Sequence, residues 1–592
     1  MTASTPRIAV APDRPFITLL RYNRPYWKAY GIGACLAVLF ILFSLLTPVI
    51  IGRIVAGFEK NTMTYALVMG YFFTLMGLSI VEGVVRYFQR RLMIGASRHF
   101  EYDLRNDLFR HVERLSQRFF HKNRTGDIMA RATSDINYVR EFMGPGVMGT
   151  ADMVRVPFTL GYMIYLSGKL TLFSLVPLPL ISVLVYACVW YMNRQSKVVQ
   201  ELFSLVTSRA QENLAGARVV KAYGIADRES RDFRKDSENY MRANIKLVAF
   251  MSFAFPLIGM IVGAVLLMVI WQGGNMVIRR EIDLATLSQF LIALIMLAWP
   301  LAQFGWVLTL YQRGAVSMKR IMSILCEAPD IRDDTRTDPN AAVTAGAISF
   351  RGVSFKYDEV LVLNEVSFDV EAGETVAIVG PTGCGKTTIV SLLTREYEPT
   401  TGEVFVDGRP LTQIPLARLR GALGYVPQDT FIFSDTIRAN VTLGRPHASE
   451  EEIWHACEVA QLAETLRQMP QGLDTLLGER GINLSGGQKQ RLALARALLR
   501  DPVVLILDDA FSSVDTHTEE RILHRLHEVM KRRTNILISH RISSVAHAHL
   551  ILVVEEGRII ERGTHEELLR LDGLYAEMFR RQQLETALED VA

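Results

Sequence analysis

Six apolar runs crowd the first 310 residues of this 592-residue chain, and none of similar quality follows. Residues 29–52 and 65–81 carry no charge; the others span 153–168, 170–193, 247–272 and 285–310. Crossing a hydrocarbon core of about 30 Å takes roughly 17–25 apolar residues. The pattern therefore predicts an α-helical six-span membrane domain in a lipid bilayer. The third run is the weakest, because Arg155 and Pro157 lie near its start. Hydrophobic residues make up 49% of the chain, which excludes a disordered protein. The glycines show no period, which excludes a collagen-like fibre. A net charge of +4 is too small to imply a nucleic-acid partner. Cys35, Cys188, Cys326, Cys384 and Cys457 form no CxxC pair, which argues against a disulfide framework or a zinc site.

Cations are unevenly distributed. Residues 86–140 carry twelve Lys/Arg and residues 194–246 carry eleven, whereas the loops after the first and third runs are short and cation-poor. The positive-inside rule makes the cation-rich segments cytoplasmic, and with them both ends of the six-span block. The expected location is a multi-pass protein of the inner (plasma) membrane with both termini in the cytoplasm. The start lacks an apolar stretch before a small-residue cleavage site, so residues 1–28 read as a leader that is not removed. Within it, residues 15–28 are amphipathic and aromatic and suit the inner interface.

The two long cytoplasmic loops, 87–118 and 194–246, are rich in helix formers and lack proline. They are expected to continue the spanning helices. Breaks at HKNRTGD (121–127) and QENLAGARVVKAYG (211–224) would form the tips of two hairpins, placed to touch another domain. The membrane domain is expected over 29–327 and a polar, Pro-containing linker over 328–347. From 348 to 592, short β-rich runs alternate with helical stretches, as in an α/β domain.

The chemistry is carried by GPTGCGKTT at 380–388, which follows the apolar run ETVAIVG. This is GxxxxGK[ST]. Gly380, Gly383 and Gly385 let backbone N–H groups turn toward phosphate oxygens, and Pro381, Thr382, Cys384 and Thr388 complete the loop. The helix that follows adds its positive end. Lys386 reaches the β/γ-phosphates of a nucleotide, and the Thr387 hydroxyl ligates Mg²⁺. VVLILDD (503–509) is an apolar strand ending in two carboxylates, and Asp508 is placed to hold Mg²⁺ through water. ATP and Mg²⁺ are the expected cofactors.

LSGGQ at 484–488 separates this domain from other P-loop ATPases, and here the sequence resembles the ABC transporter family. The fused six-span block and RTGDIMARATSD (124–135) are similar to its exporter branch, in the MdlA-type group of bacterial multidrug-resistance-like half-transporters. The resemblance implies a P-loop ATPase domain coupled to transport. It implies that Tyr357 stacks on adenine, and that Gln428 is the lid glutamine that also approaches the metal. Glu479 resembles an exporter contact loop, and SSVD ending at Asp515 the segment facing a second subunit. His540 resembles the switch histidine. It further implies a head-to-tail pair, each ATP held between one phosphate loop and the other chain's Ser485, Gly486, Gly487 and Gln488. One chain has one of each, so a second half-transporter is an expected partner.

One residue departs from the family. The hydrolytic base is usually Glu, and here it is Asp509, one methylene shorter. This favours a heterodimer with a slow site on this chain, while a tolerated substitution in a homodimer stays open. The expected cargo is a hydrophobic small molecule or lipid. A homodimeric lipid flippase and an ATP-gated membrane ATPase that transports nothing are the alternatives. Charges beside spans often face a cavity. Glu82, Asp152 and Arg155 are such charges, although an Asp152–Arg155 helical pair near the interface explains them equally. Pro300, near Trp299, Phe304 and Trp306, would either kink the sixth span toward cargo or simply pack against lipid.

Overall fold

A long apolar run in lipid can satisfy its backbone only from within, which selects helix. The computed structural model, which describes residues 15–176 and 178–589, is helical through residue 325. The expected leader residues 1–14 lie outside the described residues. Helices α1 (Pro15–Asn23), α2 (Trp27–Ser44), α3 (Leu46–Glu59) and α4 (Tyr65–Val112) come first. Then follow α5 (Gln117–Lys122), α6 (Thr125–Ala130), α7 (Ile136–Glu141), α8 (Val147–Met153), α9 (Arg155–Leu166) and α10 (Gly168–Leu175). The last four are α11 (Leu178–Ala215), α12 (Ala217–Ala222), α13 (Ala226–Ile278) and α14 (Leu284–Leu325).

Among the described residues, three helical stretches are long and apolar enough to cross a membrane: Ile17–Glu59, Tyr65–Val112 and Leu284–Leu325. Phe72, Phe73 and Ile80 on α4 are more than half exposed, a surface that suits lipid. Most of the third expected span, residues 155–166, forms one helix, α9. The α-helix is interrupted at Val154, beside Arg155, and resumes as α9. Pro300 does not end α14, which continues to Leu325.

The helical extensions are as the helix formers suggest. Helix α4 runs on to Val112, burying Phe100, Leu104 and Leu108. Helix α1 turns Leu19 and Tyr22 inward. The Tyr22 hydroxyl donates to Asp107 at 3.2 Å and Tyr26 to Asp103 at 2.7 Å, so part of the amphipathic leader packs on α4.

The chain divides into two compact units, residues 1–112 with 126–326, and residues 113–125 with 327–592. The first tip thus belongs to the second unit as far as Thr125. There Arg118 and Lys122 approach the Asp358 carboxylate at 3.0 and 3.5 Å, and Ser116 donates to Asp330 at 2.9 Å. The second tip, with α12 between Gly216 and Gly224, stays in the first unit. The stretch 328–347 is not a free tether, because Ala341 and Val343 are buried in the second unit's core. Asp407 also accepts backbone N–H bonds from Thr344, Ala345, Gly346 and Ala347 at 2.7–3.1 Å.

The second unit holds two sheets. One is antiparallel, in the order β2 (Val360–Val370), β1 (Ile348–Tyr357), β4 (Thr401–Val406), β5 (Arg409–Pro410). The other runs β10 (Arg558–Gly563), β9 (Leu550–Glu555), β3 (Thr375–Val379), β8 (Thr534–Ile538), β7 (Val504–Asp508), β6 (Leu423–Val426). Strands β9 to β6 are parallel. Every residue of β3, β7 and β8 is buried, which explains their continuous apolar runs.

Candidate functional site

Four neighbouring parallel strands end on one side of the sheet, and each delivers an expected site residue there. Strand β3 leads into the phosphate loop, β8 into His540, β7 into Asp508 and Asp509, and β6 into Gln428. Ligands of open α/β sheets bind in this position, beyond the carboxyl ends of the strands.

The loop conformation depends on its glycines. Gly380, Gly383 and Gly385 all have positive φ. A Cβ on Gly380 would lie 2.1 Å from the Val554 carbonyl oxygen, so no other residue fits there. Lys386 opens α15 (Lys386–Leu393) and is buried. Its ammonium lies inside the loop and donates to the Gly380 and Pro381 carbonyls, each at 2.8 Å. Cys384 Sγ is 3.8 Å from the same ammonium and is buried. Thr387 donates to Asp508 Oδ1 at 3.3 Å, and the Tyr425 hydroxyl approaches Oδ2 at 3.5 Å.

Burial pushes the Asp508 carboxyl above its usual range, with the neighbouring Asp509 charge acting in the same direction. A buried acid beside a threonine hydroxyl is the oxygen-donor set that a hard divalent cation takes. These residues therefore fit a magnesium–nucleotide. Thr387 and Asp508 would hold the metal, and the loop N–H groups with Lys386 the phosphates. Gln428 and His540 are exposed and, among the described residues, make no side-chain hydrogen bond within the site.

Asp509 sits in the left-handed region, φ 48, with its N–H bonded to the Ile538 carbonyl at 2.8 Å. Aspartate enters that region more readily than most side chains. Tyr357 ends β1 and stands edge-on to Tyr397, with ring centroids 5.2 Å apart. Burial raises the Tyr397 phenol to about 12.

The LSGGQ segment lies elsewhere in the unit, at the head of the helix Gly486–Leu499. Ser485 caps that helix, its oxygen accepting from Gln488 N–H while the Gln488 side chain accepts from Ser485 N–H. A Cβ on Gly487 would meet the Ser513 carbonyl oxygen at 2.8 Å, so the glycine is required by the SSVD segment. Gln490 also binds SSVD, through Ser512 and Ser513. Among the described residues no hydrogen bond joins LSGGQ to the phosphate loop. Glu479 lies in an exposed turn.

Sequence reasoning missed Tyr397, Tyr425 and Arg541. Arg541 follows His540, pairs with the buried Glu519 and reaches the Val514 carbonyl. Tyr425 was within reach of sequence analysis as part of YVPQDT, whereas the other two carry no local signal.

Comparison with known proteins agrees with this architecture. A profile described as ABC transporter transmembrane region matches residues 30–301, and one described as ABC transporter matches residues 363–512. The chain is 35% identical to the multidrug resistance-like ATP-binding protein MdlA of Escherichia coli, over 98% of each chain. It is 36% identical to the probable multidrug resistance ABC transporter ATP-binding/permease protein YheI of Bacillus subtilis, over 96% of this chain and 97% of the other. A solved bacterial Atm1-family ABC exporter with ATP bound is similar at TM-score 0.76 and 28% identity, covering 94% of this chain and 98% of that one. A helical transmembrane region fused ahead of an ATP-hydrolysing domain, matched end to end by such relatives, means that this chain belongs to the ABC transporter family, in its exporter branch.

Proposed function

We propose that this chain is one half of an ATP-driven exporter in the inner (plasma) membrane. Its six spans would carry hydrophobic or amphipathic compounds, drugs or lipids, out of the cytoplasm or inner leaflet. Both termini and the ATPase domain face the cytoplasm in this reading. The multidrug names of its relatives support the cargo class.

The observation that carries the pairing is the separation of LSGGQ from the phosphate loop within one unit. Each chain offers two half-sites, and a second half-transporter completes both. ATP with Mg²⁺ supplies the phosphoryl group whose transfer to water drives the cycle. Lys386 balances phosphate charge, Thr387 and Asp508 orient the metal, and Tyr357 with Tyr397 receives the base. Ser485 keeps its hydroxyl proton free to donate to a phosphate across the pair, because its oxygen only accepts in the cap. Asp509 is the candidate base, with His540 and Gln428 on adjacent strand ends.

Asp509 is retracted relative to the usual glutamate, and a well-placed base contributes about 10²–10⁴ in rate. We therefore favour a heterodimer in which this chain's own site binds ATP and turns over slowly. The left-handed backbone at Asp509, which suits aspartate, supports the homodimeric alternative.

Purified protein alone in lipid tests the choice. The heterodimer reading expects feeble ATPase alone and strong activity with a glutamate-bearing partner, lost on Ser485→Arg but largely kept on Asp509→Asn. Robust cargo-stimulated activity of the pure chain, abolished by Asp509→Asn, would make this a homodimer with an ordinary base.

A further inference from the structure

Two acids and two arginines on α4, α8 and α9 meet around one phenylalanine of α2. Arg86 on α4 grips Asp152 on α8 with both terminal nitrogens, at 2.6 and 2.7 Å, and donates to Gln89 at 2.9 Å. The i,i+3 spacing offered Asp152 to Arg155, but Arg86 takes it. The Arg86 and Arg155 guanidiniums lie over the Phe40 ring of α2, at 5.2 and 5.7 Å from its centroid. Glu82, one turn before Arg86, attracts Arg155. Among the described residues no ion pair joins these two.

The second pair is therefore open. Glu82 Oε1 and Arg155 Nε are buried with no hydrogen-bond partner, as is the second amide hydrogen-bonding group of the fully buried Gln89, its Nε2. A polar atom left in that condition is costly. Both residues nevertheless keep part of their surface accessible. Glu82 directly follows the uncharged run 65–81, and Asp152 and Arg155 stand at the start of the run 153–168, so these three charges lie at the ends of expected spans.

We propose that Glu82 and Arg155 bind the zwitterionic head of an amphiphile, with an ammonium on Glu82 and an anionic oxygen on Arg155. The charge count selects this class. Glu82 and Asp152 cancel Arg86 and Arg155, so a neutral zwitterion leaves the site balanced. A net cation or anion would add an uncompensated charge where the dielectric is low. Arg86 and Asp152, closed on each other, act as positioning residues that brace Phe40 and the neighbouring turn. This deepens the exporter reading and rests on it. The head could belong to a membrane phospholipid or to a zwitterionic drug, and the chemistry is shared.

The test uses the full chain in detergent and three amphiphiles with one dodecyl tail, headed by phosphoethanolamine, ammonium or phosphate. The native protein should bind the phosphoethanolamine probe about tenfold more tightly than the other two, the effect of a hydrogen bond to a charged group. Glu82→Gln should move the preference to the phosphate probe, and Arg155→Gln to the ammonium probe. The double variant Glu82→Gln/Arg155→Gln restores neutrality and is the readout should either single variant fail to fold; it should bind the three probes alike. An unchanged order of preference in both single variants, or a retained phosphoethanolamine preference in the double variant, would overturn the proposal. A merely structural cluster would lower the melting temperature without reordering the probes. Transport in vesicles separates the two levels. Amphiphile movement with no head-group reordering sinks this site and spares the exporter, whereas no ATP-dependent movement of any amphiphile sinks the exporter itself. Vesicles of dodecyl-chain drug analogues against phosphatidylethanolamine vesicles then distinguish drug from lipid.

Discussion

Thr387 Oγ1 donates to Asp508 Oδ1 across 3.3 Å, joining the first turn of α15 to the last residue of β7. The contact brings a hydroxyl and a carboxylate, 121 residues apart in sequence, to one point beside the phosphate loop. Neither residue alone makes a metal site.

Asp508 should be a liability to the fold when no cation is present. Burial raises its carboxyl above the unfolded value, so its neutral form favours the native state at low pH. That contribution disappears as pH rises through the folded-state pKa. At neutral pH without Mg²⁺, Asp508→Asn should raise the melting temperature by about 2–4 °C, the shift for about 1 kcal/mol in a domain of this size. It should also remove Mg²⁺-dependent stabilisation by ATP. Calorimetry with and without the metal checks both, and a lowered melting temperature in metal-free buffer would contradict the argument.

Asp509→Glu lengthens the candidate base while keeping its charge. The left-handed backbone makes this cost about 1 kcal/mol in stability. If reach limits hydrolysis, ATPase activity of the purified chain should rise by about tenfold or more. An unchanged rate would mean that the shorter carboxylate is not limiting.

The first tip should couple transport to hydrolysis through Asp358, which Arg118 and Lys122 both face. Asp358→Arg should leave basal ATPase and melting nearly unchanged while cargo stimulation is lost. Adding Arg118→Asp should recover part of it by reversing the pair. Loss of stimulation in the single variant with no recovery in the double would assign the effect to something other than this ion pair.

Asp407 should tie unit stability to acid pH. Burial pushes its carboxyl up, but the four backbone N–H donors outweigh that and hold it below the ordinary value. A depressed acid stabilises the fold above its unfolded pKa, and that contribution is lost as pH falls through the lower folded value. Asp407→Asn, which turns an amide toward two of those donors, should cost about 1–3 kcal/mol. It should also flatten the acid limb of a melting-versus-pH series.

The sequence was most readable where chemistry requires contiguous residues. The phosphate loop needs its glycines, lysine and threonine in one order, and Gly380 to Thr388 stand in that order. The breaks at 121–127 and 211–224 were legible because turn formers interrupt helix formers. What was hidden depends on distant partners. Residues 328–347 read as a linker because their buried apolar anchors are few, Ala341 and Val343, while the clamp on the backbone of 344–347 comes from the distant Asp407. Tyr397 looks like any aromatic until β1 sets Tyr357 against it.

Because residues 113–125 belong with 327–592, the polypeptide passes between its two units three times, after residues 112, 125 and 326. The ATPase domain is consequently not a bead on a single string. Cutting the chain near 327 would yield a fragment lacking Ser116, Arg118 and Lys122, the partners of Asp330 and Asp358, so the fragment is an incomplete body.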